Sequence, residues 1–225
     1  MAKKPVITAK EAAAMIPDGA TIMCGGFLAC GQARAIVKEL VARGTKDLTL
    51  IANDMARAVG PKGEEFFGIA ELIHNHQVKH VIATHVGMTP DVGTQGMVDK
   101  TLTVDLIPQG TLAEMIRAGG AGLGGVLTPT GVGTVVAEGK QEIEVNGKKY
   151  LLETPLRAEV AVVKAWKADT AGNLVYRRVA KNFNPMMAMA ADFVIAEAEE
   201  VVEVGQIDPD EVCTPGVCVD MVVKL

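Results

Sequence analysis

The glycine-rich segment between residues 25 and 31 is the part of the sequence best suited to binding a ligand. The apolar run 20–24 leads into Gly25-Gly26, and Gly31 precedes a stretch with helical periodicity. This pattern predicts a strand, a glycine turn and a helix N-terminus, where bare backbone N–H groups favour an anion. We therefore expect an anionic, phosphate-bearing ligand here. The alternative interpretation is a turn that only packs a strand against a helix.

The spacing of these glycines argues against two common nucleotide-binding motifs. The dinucleotide fingerprint Gly-x-Gly-x-x-Gly is absent, although Asp54 lies at about the right distance, so a nicotinamide site is weakened but stays open. Gly26 and Gly31 have the Walker spacing, but Gln32 and Ala33 stand where Lys and Ser/Thr are required. ATP hydrolysis is therefore not expected.

The sequence offers few groups that could catalyse a reaction. It contains no serine, which excludes a serine nucleophile. Cys30 is the one thiol placed to act as a nucleophile, but no histidine is near it in sequence and a structural role is favoured. The histidines, at 74, 76, 80 and 85, lack further ligands at metal-binding spacing, so we expect no metal site. Asn53 and Gln109 could orient a substrate, which leaves a ligand site without a catalytic group.

The composition excludes several classes of protein. The chain has 225 residues and a net charge of −5 without basic clusters, so nucleic acid is not an expected partner. No apolar run is long enough for a membrane span, and no secretion signal is recognised. The four cysteines, at 24, 30, 213 and 218, match neither a metal clip nor a redox pair. They are interpreted as buried, reduced thiols of a cytoplasmic protein, and the length fits one domain over residues 1–225.

Predicted strands alternate with predicted helices along the chain. Strands are predicted at 20–24, 48–52, 78–84, 104–108, 160–166, 192–198 and 201–204. Helices are predicted from a capping box at Thr8, from Gly31 to about Gly44, at 71–76, from a capping box at Thr111, and after Asn184 as N-cap. This alternation predicts a mainly parallel sheet covered by helices.

Two segments interrupt the alternation. Seven of the fifteen residues from 119 to 133 are glycine, but the apolar residues among them predict an ordered loop rather than a linker. Residues 142–151 predict a β-hairpin, because Asn146-Gly147 is the preferred pair for a type I′ turn.

Several motifs together resemble the alpha subunit of the family I 3-oxoacid/acetate CoA-transferases. The resemblance covers nearly the whole chain and rests on Asp18-Gly19 followed by Gly25-Gly26-Phe27 and Gly31, on 48–54, on 108–114, on 119–133, on 163–169 and on 182–185. It implies an open, mainly parallel, twisted α/β sheet with helices on both faces and a β-hairpin insertion. Ala33 departs from the family, which usually has proline there, and so does the stretch 55–67, which we expect to shape the acid pocket.

The resemblance also implies a reaction and a division of labour between two chains. CoA would be a co-substrate, with no permanently bound cofactor, and would contact Gly25, Gly26, Phe27, Leu28, Ala29, Cys30 and Gly31. Asn53 and Gln109 would contact the substrate carboxylate or the acyl oxygen. The nucleophilic glutamate belongs to a beta subunit with a Ser-Glu-Asn-Gly motif, which is absent here, so this chain would supply no catalytic nucleophile.

The expected reaction moves CoA between an acyl-CoA, such as acetoacetyl-CoA or butyryl-CoA, and a short-chain acid such as acetate. It would proceed by a ping-pong mechanism through a glutamyl-CoA thioester, in an α2β2 or larger assembly. Two other hypotheses stay open. One is a stand-alone nucleotide- or sugar-phosphate-binding α/β enzyme, and the other is an interaction protein without activity.

Overall fold

The computed structural model describes residues 3–225. The strands are β1 (Val6–Ile7), β2 (Thr21–Cys24), β3 (Leu48–Ile51), β4 (Arg57–Val59), β5 (Glu65–Phe67), β6 (Val78–Ala83), β7 (Thr103–Leu106), β8 (Val126–Thr128), β9 (Glu142–Val145), β10 (Lys148–Glu153), β11 (Ala158–Asp169), β12 (Leu174–Val175), β13 (Ala191–Val202) and β14 (Met221–Lys224). The α-helices are α1 (Ala9–Ala14), α2 (Arg34–Arg43), α3 (Ala70–His74), α4 (Pro90–Gly93), α5 (Gln109–Ala121) and α6 (Asn184–Met189).

A nine-stranded sheet forms the centre of the fold. Its main path runs β1-β14-β13-β11-β2-β3-β6-β7, and every neighbouring pair on that path is parallel. The short β12 pairs antiparallel with β11. The central strands are apolar on both faces, as expected for a parallel sheet covered on both sides. The predicted open, mainly parallel α/β sheet is confirmed.

Side chains alternate between two apolar layers, one on each face of the sheet. Ile22 packs into the layer that contains Ile36 and Leu40 of α2, whereas its neighbour Met23 packs into the layer that contains Leu112 of α5. This alternation follows from the two-residue period of a strand. Helices α1, α2 and α3 contribute to the first layer, and α5 and α6 to the second.

The predicted β-hairpin is confirmed as β9 and β10, joined by Asn146-Gly147. Both turn residues have positive φ, 53° and 75°, as a type I′ turn requires. β8 pairs with the other edge of β10, so the insertion is a three-stranded sheet. The expectation of a loop over 119–133 is therefore wrong in part, because the segment closes α5, turns at the left-handed Gly122 and then enters β8.

Two predicted helix starts are wrong. No capping box forms at Thr111, because α5 already begins at Gln109 with Pro108 as its N-cap. The Thr111 side chain is buried within the first turn, and its hydroxyl has no hydrogen-bond partner among residues 3–225. Asn184 is likewise the first helical residue of α6 and not its N-cap, because Phe183 precedes it with helical backbone angles.

The predicted strands at 192–198 and 201–204 are one strand, β13. Its backbone pairs with β11 without interruption from Ala191 to Val202. The acidic pair Glu199-Glu200 lies between the two predicted strands, and both side chains are exposed near the end of β13. The backbone pairing with β11 therefore continues past Glu199 and Glu200.

Because β2, β3, β6 and β7 are parallel, the segments that follow them meet at one edge of the sheet. The glycine turn 25–31 follows β2, Asn53 and Asp54 follow β3, and Gln109 opens α5 shortly after β7. The fold thus places the predicted site residues at a common edge.

Candidate active site

A chain of hydrogen bonds joins the glycine turn to both predicted substrate amides. Gln109 donates from Nε2 to Oδ1 of Asn53 at 2.5 Å, and Asn53 donates from Nδ2 to Oδ2 of Asp54 at 2.7 Å. The same Asp54 oxygen accepts the backbone N–H of Leu28 at 2.9 Å. Residues from three separate segments of the sequence therefore form one polar network.

Asp54 fixes the direction of this network. Its ionised carboxylate only accepts hydrogen bonds, so the amide nitrogen of Asn53 must face it. The Asn53 oxygen then faces Gln109, which must present its own amide nitrogen. Asn53 and Asp54 are 2% and 3% exposed, whereas Gln109 is exposed. Gln109 is thus the solvent-facing end of the network, with a second N–H and a carbonyl oxygen left to meet a substrate.

The glycine turn itself is a tight four-residue loop. Phe27 and Cys30 exchange backbone hydrogen bonds at 3.1 and 2.9 Å, and the two residues between them, Leu28 and Ala29, have positive φ angles of 47° and 67°. Left-handed non-glycine residues store of the order of 1 kcal/mol each, which the surrounding contacts must offset. One such contact is the bond from Leu28 to Asp54.

Asn184 explains why Gly25 must be glycine. A Cβ atom at Gly25 would overlap the side-chain oxygen of Asn184, which accepts the backbone N–H of Lys164 at 3.0 Å. The Asn184 amide nitrogen in turn donates to the carbonyl oxygens of Gly31 and Ala180, each at 2.9 Å. Asn184 therefore braces both ends of the glycine turn.

The N-terminus of α2 does not serve as an open anion site. The helix begins at Arg34, and its first-turn N–H groups on Ala35 and Ile36 donate to Oε2 of Glu197 at 2.8 and 3.2 Å. Glu197 is 1% exposed. The expectation that the helix dipole would hold a ligand's anion is therefore wrong, because a carboxylate of the chain already occupies that position.

Part of the turn backbone still has open donors. Within residues 3–225, the N–H groups of Gly26, Ala29 and Gly31 make no hydrogen bond. They lie in the same loop as the Leu28 N–H, which Asp54 uses. Gly26 and Ala29 are buried and Gly31 is half-buried, so these N–H groups are unpaired but only partly accessible.

A cleft of about 800 Å³ opens beside the turn, and we call it the cationic cleft. Ala29, Cys30, Gly31 and Gln32 form one wall. The rest of the lining includes five basic side chains: Arg34, Lys38, Lys164, Arg177 and Arg178.

Two carboxylates in the cationic cleft, Glu197 and Glu199, lie 3.3 and 3.8 Å from the Lys164 ammonium. The four other basic side chains of the lining make no salt bridge to any described residue. Arg34 instead stacks on the Phe67 ring at 3.6 Å, and Arg177 lies 5.3 Å from the Trp166 ring. The cleft therefore carries excess positive charge.

Glu197 is a residue of this site that the motifs described above miss, although the sequence carries a signal for it. Glu197 interrupts the apolar run 193–198 of its strand, and such a buried carboxylate needs partners. Lys164 interrupts the equally apolar run of β11, and the two residues are direct neighbours across the sheet. Paired interruptions of two buried strands indicate an internal ion pair.

The cysteines are free thiols in different environments. Cys24 is buried, and burial raises the pKa of its thiol to about 12. Cys30 is exposed, and Cys213 and Cys218 are half-buried, so the expectation that all four are buried is wrong.

Two of the four histidines are each paired with an aspartate. His74 lies 2.9 Å from Asp91, and His80 lies 2.8 Å from Asp105. Among residues 3–225 there is no group of three or more His, Cys, Asp and Glu side chains arranged to hold a metal ion.

None of the helices described is both long and apolar enough to cross a membrane.

Comparisons with known proteins agree on a family. The profile described as coenzyme A transferase matches residues 6–225. The acetate CoA-transferase subunit alpha of Escherichia coli is 48% identical over 221 residues, which is 98% of this chain and 97% of that protein. The acetoacetyl-CoA:acetate/butyrate CoA transferase alpha subunit of Clostridium acetobutylicum is 49% identical over 207 residues, covering 92% and 91%.

A solved structure supports the fold independently. The acyl-CoA transferase from Escherichia coli, crystallised as a thioester complex with CoA, superposes with a TM-score of 0.84 at 23% identity. The match covers 99% of this chain but 47% of that longer chain. By profile, sequence identity and architecture, the chain belongs to the coenzyme A transferase family, as an alpha subunit of the family I type.

Proposed function

We propose that this chain forms half of a CoA-transferase that moves CoA between an acyl-CoA, such as acetoacetyl-CoA or butyryl-CoA, and a short-chain acid such as acetate. The names of the two curated relatives support these substrates. The observation that carries the proposal is the network from Gln109 through Asn53 and Asp54 to the glycine turn. It puts uncharged donors beside a loop with open backbone N–H groups, without a nucleophile.

The missing nucleophile fits a reaction whose reactive group comes from a beta subunit. A glutamate of its Ser-Glu-Asn-Gly motif attacks the acyl thioester and expels the CoA thiolate, which leaves an acyl-glutamyl anhydride. The thiolate then attacks the glutamyl carbonyl, which releases the first acid and forms glutamyl-CoA thioester. The second acid repeats these steps in reverse order and leaves as its CoA ester, so that the glutamate is restored.

In this mechanism the chain binds CoA and orients the acid substrate. The turn Gly25 to Gly31 contacts CoA through its open N–H groups, while Gln109 and Asn53 hold the acid carboxylate or the acyl oxygen. Amides suit this task because a cationic side chain would stabilise the free carboxylate more than the neutral thioester. Such a cation would favour one side of a reaction that must run through both. Neutral donors serve the oxyanion of each tetrahedral step.

The proposal also covers the subunit assembly and the cellular compartment. The chain acts as one CoA-transferase domain over residues 1–225, pairs with the beta subunit in an α2β2 or larger complex, and works in the cytoplasm. The stretch 55–67, which contains β4 and β5, lies directly after Asn53-Asp54 and shapes the acid pocket. The stand-alone phosphate-binding hypothesis is not favoured, because Glu197 occupies the helix N-terminus on which it depended.

Co-expression tests the proposal. We expect CoA exchange between acetoacetyl-CoA and acetate when this chain is produced together with its beta partner, and none from either chain alone. A partner with Gln in place of its motif glutamate provides the matched control and should be inactive in the complex. Full activity of this chain alone would refute the split site, and inactivity of the complex with several short acids would refute the reaction.

A further inference from the structure

We propose that Arg57 selects acids that carry a second carboxylate, such as succinate, an inference that rests on the proposed function. Arg57 lies on β4, in the stretch 55–67 assigned above to the acid pocket, four positions after Asn53. Its guanidinium binds the carboxylate at the far end of the acid, while Gln109 and Asn53 hold the carboxylate that reacts.

Arg57 is a half-buried cation without an anionic partner in the described part of the chain. Its Nε atom is buried and makes no hydrogen bond, and no carboxylate of residues 3–225 forms a salt bridge with it. Arg34 also has an unpaired Nε, but its guanidinium stacks on the Phe67 ring at 3.6 Å. Withdrawing a charge from water is costly unless an opposite charge meets it, so Arg57 is suited to an anion from outside the chain.

Hydrogen bonds attach the hairpin of β4 and β5 to the polar network. Asp54 accepts the backbone N–H of Ala56 through its Oδ1 atom at 2.8 Å. The carbonyl oxygen of Met88, in the loop after β6, accepts the N–H of Ala58 at 2.9 Å. Arg57 stands between these two anchored residues, so its backbone has a fixed position relative to the network.

The separation of Arg57 from the network suits a short dicarboxylate. Four residues span at most about 14 Å when fully extended. The actual span is shorter, because Ala56 has a φ of 59° and the chain turns there. The long arginine side chain covers part of this span, and the carbon chain of a small dicarboxylate can bridge the rest.

An arginine at the far end of the acid does not bias the reaction at the near end. The distal carboxylate keeps its charge in the free acid, in the anhydride and in the CoA thioester, so Arg57 binds all three alike. Such uniform binding lowers KM and leaves kcat unchanged. Arginine suits this task because its planar guanidinium can donate two parallel hydrogen bonds to a carboxylate.

Three acceptor acids test the inference in the assembled αβ enzyme, with acetoacetyl-CoA as the donor. Succinate has the second carboxylate, succinamate has an uncharged amide in its place, and acetate has neither. In the unmodified enzyme we expect kcat/KM with succinate to exceed that with succinamate about 30-fold, as the loss of one hydrogen-bonded charge pair implies.

Substitution of Arg57 should remove this preference. In Arg57→Gln we expect the ratio of kcat/KM for succinate to that for succinamate to fall to about 1, mainly through a higher KM for succinate. Arg57→Lys keeps the charge without the planar fork and should retain part of the preference. The control Lys10→Gln removes one positive charge from an exposed position on α1 and should retain all of it.

Several outcomes would overturn the inference. One is a ratio near 1 in the unmodified enzyme, and another is an unchanged ratio in Arg57→Gln. Equal losses with all three acids, or loss of the complex on gel filtration, would instead assign Arg57 to CoA binding, to the structure or to the partner subunit. An unmodified complex that transfers CoA to none of the acids would refute the proposed function, and this inference with it.

Discussion

The carboxylate of Glu197 accepts the backbone N–H of Ala35 at 2.8 Å, so the N-terminus of α2 is bound by the chain's own anion. The carboxylate comes from β13, and the helix begins three residues after the glycine turn. The contact therefore anchors the end of the turn to the sheet. It stabilises the glycine turn and leaves the helix dipole unavailable to a ligand.

Replacing Glu197 tests this anchor. Glu197→Gln keeps an oxygen acceptor but removes the charge opposite the helix dipole and Lys164. We expect a loss of about 2 kcal/mol in stability, because a buried ammonium loses its main partner. Urea denaturation of the αβ complex measures it. Glu200→Gln on the same strand is the control, since Glu200 is half-exposed next to Lys167 and should change stability by less than about 0.5 kcal/mol. Equal effects of both variants would contradict the anchor.

Asp54 should be as important for stability as for activity. In Asp54→Ala the buried N–H groups of Leu28, Ala56 and the Asn53 amide all lose their acceptor. We expect a loss of about 3 kcal/mol and at least a tenfold fall in kcat/KM, because unsatisfied donors are costly and Asn53 is no longer oriented. Thermal denaturation and the exchange assay measure the two effects.

Asp18→Ala is the control for Asp54. Asp18 also accepts a backbone N–H, that of Lys46 at 3.0 Å, but at an exposed position away from the network. The Asp18→Ala variant should lose little stability and no activity. A stable and fully active Asp54→Ala enzyme would show that the network does not orient the amides.

Gln109 should matter for catalysis and not for folding. Gln109→Leu removes the exposed donor of the network, and we expect kcat/KM to fall about 100-fold, as for loss of one oxyanion-stabilising donor. The melting temperature should change little because the side chain is exposed. Gln141→Leu, on an exposed residue before β9, is the matched control. If the two variants had equal activity, Gln109 would have no role in the reaction.

Thiol labelling reports the environment of the cysteines. At pH 8 a thiol reagent should modify Cys30 in the native protein and should reach Cys24 only after unfolding. Burial raises the pKa of the Cys24 thiol to about 12, so the folded state keeps its proton at a pH where the unfolded chain ionises. The stability contributed by this group is therefore present below about pH 9 and falls as the pH rises from there to about 12.

Comparison of unmodified protein with Cys24→Ala isolates this contribution. The variant will be less stable at pH 7 because the contacts of the buried sulfur are lost, but its stability should fall less steeply above pH 9. If the free energy of unfolding fell equally steeply with pH in both proteins, the contribution assigned to the Cys24 thiol would be contradicted. Tyr176 contributes a further alkaline slope to both proteins, because burial raises the pKa of its phenol.

The sequence is sufficient for the features that depend on local periodicity. The strand, turn and helix around the glycine segment after β2 and the type I′ hairpin at Asn146-Gly147 both follow from short-range patterns. These features need no knowledge of long-range contacts, because strand alternation and turn chemistry specify them.

Contacts between residues far apart in the sequence explain why the two helix-cap predictions are wrong and why Glu197 was missed. Thr111 and Asn184 have the residue types of helix caps, but Thr111 faces the core and Asn184 contacts Lys164 and Gly31 instead. Glu197 reaches Ala35 over a separation of 162 residues. Capping propensity describes only the local alternatives of a side chain, and here tertiary partners outweigh it.

The division of labour between the two subunits is the central claim, and the mass of each subunit after reaction with acetoacetyl-CoA alone tests it most directly. Without an acceptor acid, the glutamyl-CoA intermediate should accumulate. We expect mass spectrometry of the denatured complex to show a CoA adduct on the beta subunit, lost on addition of acetate, and none on this chain. A CoA adduct on this chain, or turnover by this chain alone, would contradict the account.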